Sequence, residues 1–146
     1  MTFDAIRPGL KGEVRQVVTE EHTAQHLGSG AVKVLATPHM VLLIEWAGLA
    51  AVDHLLTEGN RTVGAHSDIS HLAPTPVGFE VRVTAELIEV DGRRLTFRVK
   101  VYEEPFDSEG GGGQLVGEGT HQRAIINVER FGQRVAEKLA GRPAGP

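Results

Sequence analysis

Thr37-Pro38-His39-Met40-Val41-Leu42-Leu43-Ile44-Glu45-Trp46-Ala47-Gly48-Leu49-Ala50-Ala51-Val52 is the stretch on which the fold turns. Thr37 suits a helix N-cap and Pro38 the first helical position, where the missing N–H costs nothing. From Met40 to Ile44 every side chain is apolar, so no wet face interrupts the helix at that level. The segment Pro38 to Leu56 therefore reads as one long buried helix, with Glu58-Gly59-Asn60 supplying its C-cap region. A helix that is apolar nearly all round must be wrapped by other elements.

Working outward, the wrapping is written as strands. Lys11 to Thr19 reads as the first, and four more follow the helix at roughly 62–72, 79–90, 95–102 and 115–126. In one, Val81, Val83, Ala85 and Leu87 alternate with polar residues; in the next, Leu95, Phe97, Val99 and Val101 do the same. That period of two buries one face of each strand. Asp91-Gly92 is a tight hairpin signal, and Asp107 to Gly113, with four consecutive glycines, reads as a turn between the last two strands. Sequential strands are thereby expected to be antiparallel neighbours. Val128 to Ala140 reads as a charged C-terminal helix, and residues 1–8 and 141–146 as frayed ends. The expectation is a single α+β domain spanning residues 1–146, a helix held against a curled antiparallel sheet. Pattern alone leaves several helix-on-sheet arrangements open.

Composition narrows the function. A chain of 146 residues, 40% hydrophobic and 23% charged, suits one globular core. The net charge of −4 and pI near 6.0 give no global basic field for a nucleic-acid partner. With no cysteine, thiolate nucleophiles and Cys-ligated metals are excluded, so any nucleophile is oxygen or water. No signal-like start and no uninterrupted apolar run of about 18 residues is present, so no membrane is expected and the location expected is cytoplasmic. His22 and His26, four apart, and His66 and His71, five apart, come without a third ligand, so no metal is expected. Gly110 to Gly113 lacks the Lys-Ser/Thr ending of a phosphate loop.

Three residues carry chemistry. Glu45 interrupts Leu42-Leu43-Ile44 and Trp46-Ala47, and a carboxylate there must be paired, hydrogen-bonded or protonated, since an unpaired buried charge costs several kcal/mol. His71 ends a strand just before Pro74 and Pro76, at a rim where side chains are presented. Thr37 shares the helix with Glu45, so a hydroxyl and a carboxylate can face one pocket. Each also has a plainer account: a structural carboxylate bonded to a neighbouring strand or subunit, a surface histidine, a capping threonine.

Ile44-Glu45-Trp46-Ala47, preceded by Thr37 and followed by Gly64, His71-Leu72-Ala73-Pro74, Thr84-Ala85-Glu86-Leu87 and Gly119-Thr120-His121-Gln122-Arg123-Ala124-Ile125, resembles the hot-dog thioesterases related to fluoroacetyl-CoA thioesterase, over roughly residues 12 to 135. The resemblance implies a hot-dog fold and hydrolysis of an acyl-CoA or related pantetheine thioester, with no cofactor beyond the coenzyme A of the substrate. It implies Thr37, Glu45 and His71 as the reactive set, Gly64 and Arg123 as residues lining or supporting the substrate site, and a dimer or dimer of dimers as the active unit. Between Leu27 and Ala36 the chain departs from the family's fluoroacetate-specific members, which resemble one another in aromatic lid residues; Gly28-Ser29-Gly30-Ala31-Val32-Lys33-Val34 has none. A hot-dog enoyl-thioester hydratase or dehydratase, and a non-catalytic acyl-CoA binding protein, are the alternatives.

Overall fold

Alternation carries five segments of this chain into one sheet. In the computed structural model, which describes residues 3–104 and 113–142, the order is β1 (Lys11–Val17), α1 (Ala24–Leu27), α2 (Thr37–Val52), β2 (Asn60–His71), β3 (Glu80–Asp91), β4 (Arg94–Glu104), β5 (Gln114–Asn127) and α3 (Val128–Ala140). The inward positions Val81, Val83, Ala85 and Leu87 of β3 and Leu95, Phe97, Val99 and Val101 of β4 are all buried. They pack with Met40, Leu43, Ile44, Ala47, Ala51 and Val52 of α2 into one core. The helix lies directly on β1: a Cβ at Gly12 would run into the α2 backbone at Ala47 and Ala51, so glycine is what permits the approach.

The sheet order is β1-β3-β4-β5-β2, antiparallel throughout. Sequential pairing holds for β3-β4-β5, where the Asp91-Gly92 turn, with Gly92 at φ 61°, closes the first hairpin. It fails for β2, which pairs with β5 at the far edge. The connection after His71 carries Pro74 and Pro76, which lack the N–H of a ladder, and it conducts the chain away from β2 to the opposite side of the sheet. The glycine-rich turn expected at 107–113 lies, apart from Gly113, outside the described residues.

Two expectations about α2 are corrected. Its helical hydrogen bonding ends at Val52, short of Leu56, and a 3-10 turn follows over Asp53–Leu55. The reason is local: the Asp53 carboxylate is engaged by the backbone N–H and hydroxyl of Thr62 on β2. Nor is the helix wrapped all round. Leu42 and Trp46, one turn apart, are 37% and 40% exposed, because a single five-stranded sheet covers only one side of a helix. Of residues 1–8, expected to fray, Ile6 is buried in the core, and just beyond them Gly9 N–H donates to Leu87 O at 2.8 Å. No helix among the described residues is long and apolar enough to cross a membrane.

Candidate active site

The N-terminus of α2 differs from its expected form by one residue, with a chemical consequence. Ala36 is the N-cap, extended at φ −73° and ψ 141°, and its carbonyl accepts from Met40 N–H at 3.0 Å. Thr37 is therefore the first helical residue, and its hydroxyl has no capping duty. It meets His71 Nδ1 at 2.7 Å. His71 is the last residue of β2, and its Nε2 is buried with no hydrogen-bond partner. Burial holds the imidazole pKa below its ordinary value, a hydrogen bond with the Ala73 backbone acting the other way. The ring is thus neutral at neutral pH. When its Nδ1–H donates to the Thr37 oxygen, Nε2 bears the free lone pair of a base.

Thr37 and His71 line a cavity of about 350 Å³ together with Ala24, Ser29, Val34 and Leu35. The lid segment read between Leu27 and Ala36 therefore does border the hydroxyl and the imidazole. Its contribution, Ser29, Val34 and Leu35, is small and without an aromatic ring.

Glu45 is not among them. Eight residues along α2 from Thr37, it sits about 12 Å further up the helix axis at 1.5 Å per residue. Its Oε2 lies 3.7 Å from Nη1 of Arg123 on β5, and Gly64 of β2 closes the third side. A Cβ at Gly64 would stand 2.5 Å from that carboxylate oxygen, so the missing side chain is the space Glu45 occupies. Gly64 also begins the β-bulge that shifts the β2–β5 register before His66. The Glu45 side chain is 37% exposed and that of Arg123 only 4%.

Arg123 is held from behind by residues that sequence reasoning did not single out. Its Nε donates to Thr62 Oγ1 at 2.7 Å and its Nη2 to Thr62 O at 3.1 Å; the Thr62 hydroxyl in turn donates a hydrogen bond to Asp53 Oδ1 at 2.5 Å. Nη1 lies 3.1 Å from His121 Nε2. A guanidinium can only donate, so this contact fixes the His121 tautomer: Nε2 accepts, and Nδ1–H faces Ser67 Oγ at 2.7 Å and His66 O at 3.0 Å. Burial, then the Arg123 charge, lower the His121 pKa and keep the ring neutral. An unpaired guanidinium at this depth would cost several kcal/mol, and the network removes that penalty. Its signal in the sequence is His121 and Arg123, polar residues at two inward positions of a strand whose next inward residue is Ile125.

One chain thus presents two separate clusters: a hydroxyl–imidazole pair beside a cavity, and an arginine-held carboxylate against a glycine. The single helix on its curled five-stranded sheet is the hot-dog fold, and similarity to known proteins shows a thioesterase of that fold. Residues 18–129 match the family described as fluoroacetyl-CoA-specific thioesterase, and the chain belongs to it. It is 36% identical over 148 residues to the fluoroacetyl-CoA thioesterase of Streptantibioticus cattleyicolor, covering 97% of this chain and 99% of that one. Among solved structures, a threonine-to-serine variant of fluoroacetyl-CoA thioesterase in complex with acetyl-CoA superposes with a TM-score of 0.79 at 35% identity, over 91% of this chain and 98% of the other. A thioesterase superfamily member from Thermus thermophilus gives 0.79 at 30% identity, over 94% and 98%.

Proposed function

We propose that two copies of the chain join to complete the site at which it hydrolyses an acyl-CoA thioester to a carboxylic acid and free coenzyme A. The observation that carries this reading is the separation of the two half-sites within one chain: Thr37 bonds to His71, while Glu45 is engaged with Arg123 about 12 Å along the helix. Two surfaces support the join. β2 is a twelve-residue edge strand, and the α2 face with Leu42 and Trp46 is apolar and uncovered. Pairing β2 antiparallel with the partner's β2, on a two-fold axis near Ser67 and Asp68, sets Gly64 and its neighbour Glu45 opposite the partner's His71. The same axis lays the exposed α2 faces side by side.

In the joined site, Glu45 either attacks the thioester carbonyl or draws a proton from the attacking water. In both routes water supplies the oxygen of the acid, the C–S bond breaks, and the thiolate leaves and takes up a proton. His71 Nε2 takes up a proton released by the water and returns it to the thiolate, Thr37 holds the imidazole in the tautomer that leaves Nε2 free, and Arg123 holds Glu45 in place. The acyl group enters the cavity bordered by Val34 and Leu35. Those aliphatic walls support a short or branched acyl chain without selection for fluorine.

Subunit exchange tests the shared site. Glu45→Ala and His71→Ala proteins, each inactive in a thiol-release assay, are mixed under conditions of demonstrated exchange. About half of the dimers are then mixed, each with one intact site, so about a quarter of wild-type activity returns. No recovery despite exchange places both residues in one chain's site and overturns the model.

A further inference from the structure

Where β5 hands over to α3, three guanidiniums surround one hollow. A cavity of about 220 Å³ is lined by Arg93 from the β3–β4 turn, by Arg130 and Arg134 one turn apart on α3, and by Ile125, Asn127 and Phe131. It adjoins, through Arg93 and Ile125, a second hollow of about 550 Å³ bordered by Phe3 and Gly92. Arg93 reaches across to donate to the Ile125 carbonyl at 3.4 Å, which fixes its head at the junction of the two. Asn127 caps α3 by accepting from Arg130 N–H at 2.9 Å, which anchors the helix turn carrying the other two arginines. Among the described residues, none of the three forms an ion pair with a carboxylate. A chain of net charge −4 therefore gathers three guanidiniums at one hollow, Arg93 over the Phe3 ring at 5.7 Å with Asp4 in the adjoining hollow as the nearby carboxylate, next to the exposed Phe131 ring and the buried Ile125.

That is the chemistry of a phosphorylated nucleotide: forked donors for phosphate oxygens and a flat apolar surface for a base. The position agrees. Asn127 lies four residues beyond Arg123 on β5, so the hollow begins about 13 Å along an extended strand from the arginine that holds Glu45. A pantetheine arm, with its two amides and methylene links, has about the length of such an extended segment.

We infer that the Arg93–Arg130–Arg134 hollow binds the phosphorylated adenosine end of the coenzyme A thioester, in the chain that contributes Glu45. The inference rests on the reading that an acyl-CoA is the substrate. Binding the remote, non-reacting end would lower KM without entering the chemical step.

Acetyl-CoA and S-acetylpantetheine, which carries the same thioester and arm without the nucleotide, separate the possibilities. Wild type, Arg93→Gln and the double variant Arg130→Gln/Arg134→Gln are compared by thiol release, with thermal melts to verify folding. The expected result is that the double variant raises KM for acetyl-CoA about 10- to 100-fold with kcat unchanged, while kinetics on S-acetylpantetheine stay at wild-type values. Arg93→Gln moves the same parameter in the same direction. The wild-type preference for acetyl-CoA over S-acetylpantetheine should also shrink as salt is raised. Variants with wild-type KM for acetyl-CoA, or with equal losses on both substrates, overturn the assignment. Should the wild type cleave neither thioester, the hydrolase reading itself has failed. Calorimetric titration with adenosine 3′,5′-bisphosphate then decides the hollow alone: weaker binding to the double variant supports it, and equal binding to both proteins refutes it.

Discussion

Gly64→Ala tests the placement of Glu45. Gly64 lies in the β2 ladder and has no left-handed φ, so alanine adds a methyl group and imposes no backbone strain. The new Cβ would stand 2.5 Å from Glu45 Oε2, 3.3 Å from its carboxyl carbon and 3.6 Å from Arg123 Nη1. Ordinary contact begins at about 3.4 Å, so the carboxylate must retreat by roughly 0.9 Å. It has somewhere to go, since the side chain is 37% exposed and ends a flexible stem; Arg123, pinned by Thr62 and His121, does not yield. The fold should therefore lose little, on the order of 1 kcal/mol or less. Catalysis should lose much more: displacing a reacting group by about 1 Å costs on the order of 10²-fold in rate. The expected outcome is a melting temperature within a few degrees of wild type and kcat lowered about 10²-fold in a thiol-release assay. A folded Gly64→Ala protein with wild-type kcat would mean that the position of the Glu45 carboxylate does not matter to turnover, and the assignment of Glu45 would fall with it.

Glu45→Gln, which keeps volume and hydrogen bonding but removes the charge, is expected to lower kcat by about 10²- to 10⁴-fold, and His71→Ala by a similar factor; folded variants with near wild-type turnover would remove both residues from the reaction. With the His71 pKa lowered by burial, the acid limb of kcat/KM should have its midpoint below pH 6.5, and a midpoint above that value contradicts a buried neutral base. Stability carries the same sign. His39, His71 and His121 all have folded pKa values below the ordinary 6.5, so the unfolded chain binds more protons in that window, and melting temperature should be flat above about pH 7 and fall as pH drops through 6.5; a melting temperature that rises on acidification refutes this. Because none of the lid residues bordering the cavity is aromatic, kcat/KM for fluoroacetyl-CoA should exceed that for acetyl-CoA by less than about 10³-fold, and a larger preference would contradict this reading.

The sequence by itself determined the elements and their inward faces. Alternation at Val81 to Leu87 and Leu95 to Val101 and the apolar run of Met40 to Ile44 specify which side chains leave water, because burial periodicity is a local property of each segment. Its motifs also pointed to Thr37, Glu45, His71, Gly64 and Arg123. Only the tertiary structure decided how these residues group. Thr37 is released from capping because Ala36 takes that place, and the hydroxyl finds His71 34 residues away. Glu45 goes to Gly64 and Arg123 because β2 pairs with β5 at the far edge of the sheet, a long-range choice that no local signal encodes. The support behind Arg123 was equally hidden: Asp53, Thr62 and His121 lie in three separate segments, and the fold brings them together around a buried guanidinium that needs acceptors for its donors.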